Sequence, residues 1–186
     1  MEPTLNSRRG FLGLLATASA AAQRKVLTEK DRVKIARPAP ELIERAAALA
    51  RDYIAKNGNC AQATIAALQD ALPFVGKSDD IYLAGSGLHG GATASGNANC
   101  GGFTGAGIVI GHLCGRSRTR AADRNATKLS TALVRQVAGK FEETYGCVIC
   151  KEVRAKAGKK CGDVVAHAAG WAAEVILKQF AGGGRG

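Results

Sequence analysis

The apolar positions along the chain repeat with a helical period almost throughout. From residue 40, Leu42, Ala46, Leu49, Tyr53 and Ile54 line one face of a predicted helix. Pro40 and Glu41 suit its start, because proline in a first turn forfeits no hydrogen bond and an acid meets the positive end of the helix dipole. Asn57-Gly58 ends it, glycine taking the left-handed cap. A second helix is predicted over 60–72. Asn59 supplies the cap, Gln62 stands at the capping-box position, and Ile65, Leu68 and Leu72 continue a stripe from Ala61. Pro73 stops it. A turn-rich connection follows, in which Asp79 or Asp80 can cap a short helix over 81–84.

From residue 85 to 111 the chain is rich in glycine. Gly85-Ser86-Gly87-Leu88-His89-Gly90 has the form G-x-G-x-x-G. It lacks the surrounding βαβ pattern and the acid about 20 residues further on, so it reads as a tightly turning loop and not as a nucleotide site. A third helix is predicted over 100–113, capped by Asn99, yet it contains Gly101, Gly102, Gly105, Gly107 and Gly111. An interior glycine is unfavourable by about 1 kcal/mol relative to alanine, so these imply close approach of a neighbour. After a basic loop over 116–120, Ala122, Ala126, Leu129, Leu133, Val137, Phe141 and Tyr145 predict a long amphipathic helix ending at Gly146. Cys147-Val148-Ile149-Cys150 opens a short helical stretch toward Ala157. A last helix over 162–180 turns Val164, Val165, Ala168, Trp171, Val175 and Ile176 inward.

The expected fold is therefore all-α, a compact bundle of about five to six helices with a Gly-rich loop. The expected organisation is a signal peptide over 1–22, a linker over 23–40, a helical domain over 41–181 and a disordered tail over 182–186. At 186 residues, 46% of them hydrophobic and 5% aromatic, the chain suits one domain packed through small side chains. A net charge of +11 would permit a nucleic-acid partner. The cations are scattered and little interleaved with aromatics, so a solvated basic surface is expected and no nucleic-acid partner.

The N-terminus bears on the compartment. Arg8-Arg9-Gly10-Phe11-Leu12 precedes an apolar run to Ala22, short of the about 20 residues that span a bilayer. Ala18-Ser19-Ala20 or Ala20-Ala21-Ala22 offers a cleavage site. The paired arginines resemble a twin-arginine export signal, with Gly13 where that signal usually has lysine. The resemblance implies the twin-arginine translocase as a partner and a periplasmic or otherwise exported location. That route carries folded cargo, often with a metal cofactor already installed. An ordinary secretory signal or an uncleaved anchor is the alternative.

Six cysteines then become the candidate chemistry. Cys60 and Cys100 each follow an Asn at a predicted helix start, where free N–H groups and the dipole favour a thiolate. Cys150 lies at another helix start, and Cys161 precedes the last helix after a Gly-Lys-Lys turn. Thiols at such helix ends suit a Cys₄ iron–sulfur cluster or a tetrahedral zinc site. Spacing alone leaves metal ligation and disulfides open. There is one C-x-x-C, Cys147 to Cys150, and no C-x-x-C-H, so no c-type haem is expected.

Asn59-Cys60-Ala61-Gln62-Ala63, Asn99-Cys100-Gly101-Gly102-Phe103-Thr104-Gly105-Ala106, Tyr145-Gly146, Cys150-Lys151-Glu152-Val153 and Cys161 together resemble the C_GCAxxG_C_C family of redox-active proteins. The resemblance covers residues 42–180. It implies that the family's four cysteines fall on Cys60, Cys100, Cys150 and Cys161, as ligands of a metal or cofactor. A related module of split-Soret cytochromes c is associated with a non-haem iron–sulfur centre, so such a cluster is the first cofactor implied and zinc the second. A redox partner protein and a homodimer are further expectations from the same source. Gly102 departs from the alanine usual in the family, and Cys114 and Cys147 are additional. Cys114 reads as a buried apolar residue, while Cys147 beside Cys150 offers a dithiol. Neither His89, His112 nor His167 is read as a ligand.

The function expected is an exported redox protein that binds an iron–sulfur or other metal centre and transfers electrons. The alternatives are a thiol–disulfide oxidoreductase using Cys147 and Cys150, or Cys60 with Cys100, and a non-catalytic helical module stapled by disulfides or zinc.

Overall fold

The computed structural model describes residues 25–182; the paired arginines, the apolar run to Ala22 and the last four residues lie outside the described residues. The described chain folds into seven α-helices: α1 (Ala39–Asn57), α2 (Cys60–Ala71), α3 (Asp79–Ala84), α4 (Gly101–Cys114), α5 (Lys128–Tyr145), α6 (Cys150–Lys156) and α7 (Cys161–Phe180). Among the described residues there is no strand, only isolated bridges of Val33 with Ala181 and Asn99 with Ile149. The all-α expectation holds. The helix count rises to seven because 79–84 and 150–156 each close as separate short helices. No helix among the described residues is long and apolar enough to cross a membrane.

The hub is α7. It is apolar around most of its circumference, as a helix enclosed by others must be, and α1, α2, α4, α5 and α6 all pack on it, α1 most extensively. Small residues allow this. Ala46 and Ala50 of α1 and Ala169 and Ala173 of α7 are fully buried, and a Cβ on Gly170 would touch Ala47 Cβ at 3.5 Å. Phe141, Phe180, Leu68, Ile110 and Ile176 fill the remaining core.

Close approach explains some of the α4 glycines and not others. A Cβ on Gly105 would lie 2.5 Å from the Ala61 carbonyl oxygen, and one on Gly102 3.0 Å from Ala168 Cβ. Glycine at these positions lets α4 wedge between α2 and α7. Gly107 would meet only Val134 Cγ2 at 4.0 Å and Gly111 nothing within that distance, so crowding does not require either glycine.

Two expected boundaries move. The amphipathic helix expected from Ala122 begins at Lys128. The Asp123 carboxylate accepts the Asn125 N–H at 2.9 Å and holds Arg124–Thr127 as a tighter 3₁₀ turn. In α3, Asp79 and Asp80 occupy the first turn, and Ser78 is the cap residue without a side-chain bond. The stretch before α1, read as a linker, runs along the ends of α4 and α7. Leu27 N–H donates to Leu113 O at 2.9 Å and Val33 N–H to Phe180 O at 2.8 Å. Gly182 N–H in turn donates to Val33 O at 2.9 Å.

Candidate functional site

Cys60, Cys150 and Cys161 are the first residues of α2, α6 and α7, and Cys100 immediately precedes α4. Two local arrangements bring these starts to one end of the bundle. The chain entering α4 pairs with the chain entering α6, Cys100 N–H donating to Val148 O at 2.7 Å and Cys150 N–H to Ala98 O at 2.9 Å. Meanwhile α4 approaches α2 so closely that a Cβ on Gly101 would stand 2.3 Å from Cys60 Sγ.

The thiols lie within electrostatic reach of one another. Burial pushes the Cys100 thiol up to about 12, the charge of Cys60 adds to the rise, and the N–H groups of Phe103 and Gly102 facing the sulfur oppose it. Cys150 is raised as well, by burial first and then by Cys60 and Cys161. All six cysteines are free thiols. The helix starts were expected to favour thiolates; at Cys100 and Cys150 the shift is instead upward, because desolvation and like charge outweigh the N–H groups.

Asn59 and Asn99, expected to act alike, do not. Asn59 caps α2, its side-chain oxygen accepting the Gln62 N–H at 3.0 Å. At α4 the cap position belongs to Cys100 itself, with extended backbone (φ −53°, ψ 132°). Its sulfur faces the N–H groups that a capping side chain would satisfy. Asn99 stands one residue earlier, in the bridge with Ile149.

The Gly-rich segment covers this end. Asn59 Nδ2 donates to Ser86 O at 2.9 Å, and Gln62 Nε2 donates to Ser86 Oγ at 2.9 Å. A Cβ on Gly91 would stand 2.8 Å from Cys150 Cβ. Gly90, Gly91 and Gly96 have positive φ, and so do Ala92, Thr93 and Ala94. The left-handed conformation costs a residue with a side chain about 1–2 kcal/mol, so the segment is held in place by its surroundings and not by local preference.

Cys114 ends α4, about 20 Å along the helix from Cys100 at 1.5 Å per residue. It is buried, donates Sγ–H to Ile110 O at 3.3 Å, and is pushed up to about 11 by burial. Cys147 is half-buried and donates to Glu152 Oε2 at 3.5 Å. His89 Nδ1 faces Ser86 O at 3.4 Å, and His112 is half-buried on α4.

One pair escaped the sequence. Tyr145, legible as an inward-facing residue, bonds through its hydroxyl to Nδ1 of exposed His167 at 2.7 Å. Phe103, Phe141 and Trp171 pack around the pair. Burial raises Tyr145 to about 12, with Cys100 and Asp163 adding to the rise. The two residues stand on separate helices, α5 and α7, so no local motif announces their contact.

The donor set is four thiols from four helices, with backbone N–H groups on one sulfur and a cradle beside another that a Cβ would fill. Among the described residues no three His, Cys, Asp or Glu side chains are gathered closely enough to hold a single metal ion. Cys60, Cys100 and Cys150 act on one another electrostatically, and Cys161 acts on Cys150.

An all-α bundle with thiols converging from separate helix starts defines a small cysteine-site protein. The family model described as "Putative redox-active protein (C_GCAxxG_C_C)" matches residues 58–175, and the chain belongs to this family. The matched span contains Cys60, Cys100, Cys150 and Cys161. No curated protein and no solved structure matches the chain.

Proposed function

We propose that the chain is an exported redox protein that holds an iron–sulfur or related metal centre through Cys60, Cys100, Cys150 and Cys161 and exchanges electrons with a partner protein. The observation that carries this reading is the convergence of these helix starts: the segments entering α4 and α6 exchange backbone hydrogen bonds, Gly101 lets α4 close on the Cys60 sulfur, and Cys161 lies near enough to act on Cys150. Deprotonating these neighbouring, buried thiols is costly unless a cation compensates the charges formed. When bound, an iron–sulfur cluster supplies reversible one-electron chemistry at a potential set by burial and by hydrogen bonds to its sulfurs. The Gly102 and Phe103 N–H groups at Cys100 are such donors, and Gly101 leaves room for the Cys60 sulfur. The twin-arginine-like segment supports export of the folded, loaded chain.

Anaerobic purification from cytoplasm tests the proposal. A coloured protein with iron and acid-labile sulfide is expected, and Cys→Ala at any of the four positions should abolish both. A colourless, metal-free protein with a reversible dithiol would sink the idea. Stoichiometric zinc without sulfide would assign the thiols a structural role. A thiol–disulfide reading retains one specific support: Cys147 is half-buried, beside the Glu152 carboxylate, and three residues from Cys150.

A further inference from the structure

Between Cys150 and Cys161 lie five cations, Lys151, Arg154, Lys156, Lys159 and Lys160, against one acid, Glu152. All five are exposed. None joins an ion pair among the described residues, whereas seven cations elsewhere do. Three of the five positions are locally unfavourable. Lys159 has φ +65°, in the left-handed region that side chains disfavour. Lys160 is the cap residue of α7 and makes no side-chain cap bond, and Lys151 sits in the first turn of α6. Cations at these ends oppose the helix dipole. Helix stability therefore accounts for Arg154 and Lys156, which stand in the last turn of α6, and not for Lys151, Lys159 or Lys160.

The group begins at Lys151, which packs on the segment that covers the thiols. Lys151 N–H donates to Gly96 O at 2.9 Å, and a Cβ on Gly96 would meet Lys151 Cβ at 3.2 Å. Just before that segment stands Leu83, 63% exposed, the single large exposed hydrophobic side chain among the described residues. The covering segment is thus preceded in the chain by an exposed apolar side chain, and it packs on the first of a group of cations that form no ion pair.

We propose that this rim is the docking surface for an acidic redox protein, the partner that exchanges electrons with the thiol site; the inference rests on the redox reading of that site. Complementary charge speeds encounter and selects partners, and it acts most strongly at low salt. The 151–160 segment carries no aromatic side chain to stack on bases. One exposed leucine is too little apolar surface to seat the chain on a membrane. An acidic protein is the occupant that uses both features.

The test uses an acidic plant-type ferredoxin as probe and basic cytochrome c as the opposite-charge control, with anionic vesicles and single-stranded DNA as competitors. The whole chain should bind the ferredoxin and not the cytochrome, and salt should weaken the complex. Lys156→Glu with Lys159→Glu should weaken ferredoxin binding about tenfold or more at low salt, mainly through the association rate. Arg118→Glu with Arg124→Glu changes the net charge equally on another loop and should have little effect. Equal weakening by the two double variants, no weakening by the first, or no ferredoxin binding by the parent chain overturns the proposal. Stronger lysine-dependent binding to vesicles or DNA than to ferredoxin overturns it too. If the first variant changes thiol alkylation rates but not binding, the cations serve the thiols alone and the docking surface is refuted. Iron and sulfide assayed on the same preparations separate the two readings. A metal-free chain whose binding still depends on the lysines keeps the docking surface while the cluster reading fails. A loaded chain indifferent to them does the reverse.

Discussion

Gly101 is the residue on which the thiol site presses hardest. A methyl group there would stand 2.3 Å from Cys60 Sγ and 3.0 Å from Leu88 O, so the sulfur or the covering loop must move. Gly101→Ala is therefore expected to lower metal incorporation sharply and to destabilise by about 1–3 kcal/mol, the usual cost of overpacking. Iron content and urea unfolding measure the two effects. Gly111→Ala is the contrast. It lies on the same helix, is exposed, and has nothing within 4 Å. It should raise stability by up to about 1 kcal/mol through helix propensity and leave metal content unchanged. Cys114→Ala, at the far end of α4, should likewise leave the centre intact. Sequence made the glycine run conspicuous. It could not separate crowded glycines from free ones, because that depends on which face of α4 meets α2 and α7.

At the scale of elements, most helices were legible because their stripes and stops are local. Leu133, Val137, Phe141 and Tyr145 of α5 all turn inward as their spacing requires, and Gly58 and Gly146 end α1 and α5 in the left-handed conformation. What failed depended on distant partners. Asn99 looks like a second Asn59, but pairing with Ile149 draws it out of the cap position and leaves Cys100 there. The cost of removing each side chain should differ accordingly. Asn59→Ala removes the bond to Gln62 N–H and the bond to Ser86 O, and should destabilise by about 1–2 kcal/mol. Asn99 is exposed and makes no side-chain hydrogen bond of this kind, so Asn99→Ala should stay within about 0.5 kcal/mol. Chemical denaturation of the two variants side by side decides the point. Equal losses would show that Asn99 caps α4 after all.

For the whole molecule, α2 links two separate systems. Cys60 opens it at the thiol end, and at its other end Asp70 joins α1 and the following turn. Tyr53 Oη donates to Asp70 Oδ2 at 2.6 Å, and Lys77 Nζ pairs with Asp70 Oδ1 at 2.6 Å. Burial alone would raise the Asp70 carboxyl, but the bonds from Lys77 and Tyr53 and the charge of Lys77 outweigh it and hold it below its usual value. A carboxylate depressed in the folded state contributes stability above its unfolded value of about 4 and loses it as pH falls through the folded value. Melting temperature should thus fall on acidification below about pH 4, and Asp70→Asn should flatten that limb. Asp31 and Asp123 are also held low, by Lys25 with Thr28 and by Arg120. Lys25, Arg120 and Lys77 are all exposed, so the ion-pair part of all three contributions should fade at high ionic strength, leaving at Asp70 the bond from Tyr53. On the alkaline side, Tyr53 is raised to about 12 by its bond to Asp70, by burial and by the Asp70 charge. Its contribution is present below about pH 10 and is lost as pH rises through the folded value. Tyr53→Phe should reduce the alkaline loss, leaving the part that Tyr145, Cys100 and Cys114 contribute, and the acid limb should become less steep because Asp70 loses a donor. If both limbs are unchanged in Tyr53→Phe, the contact joining α1 to α2 does not govern the pH range of the fold.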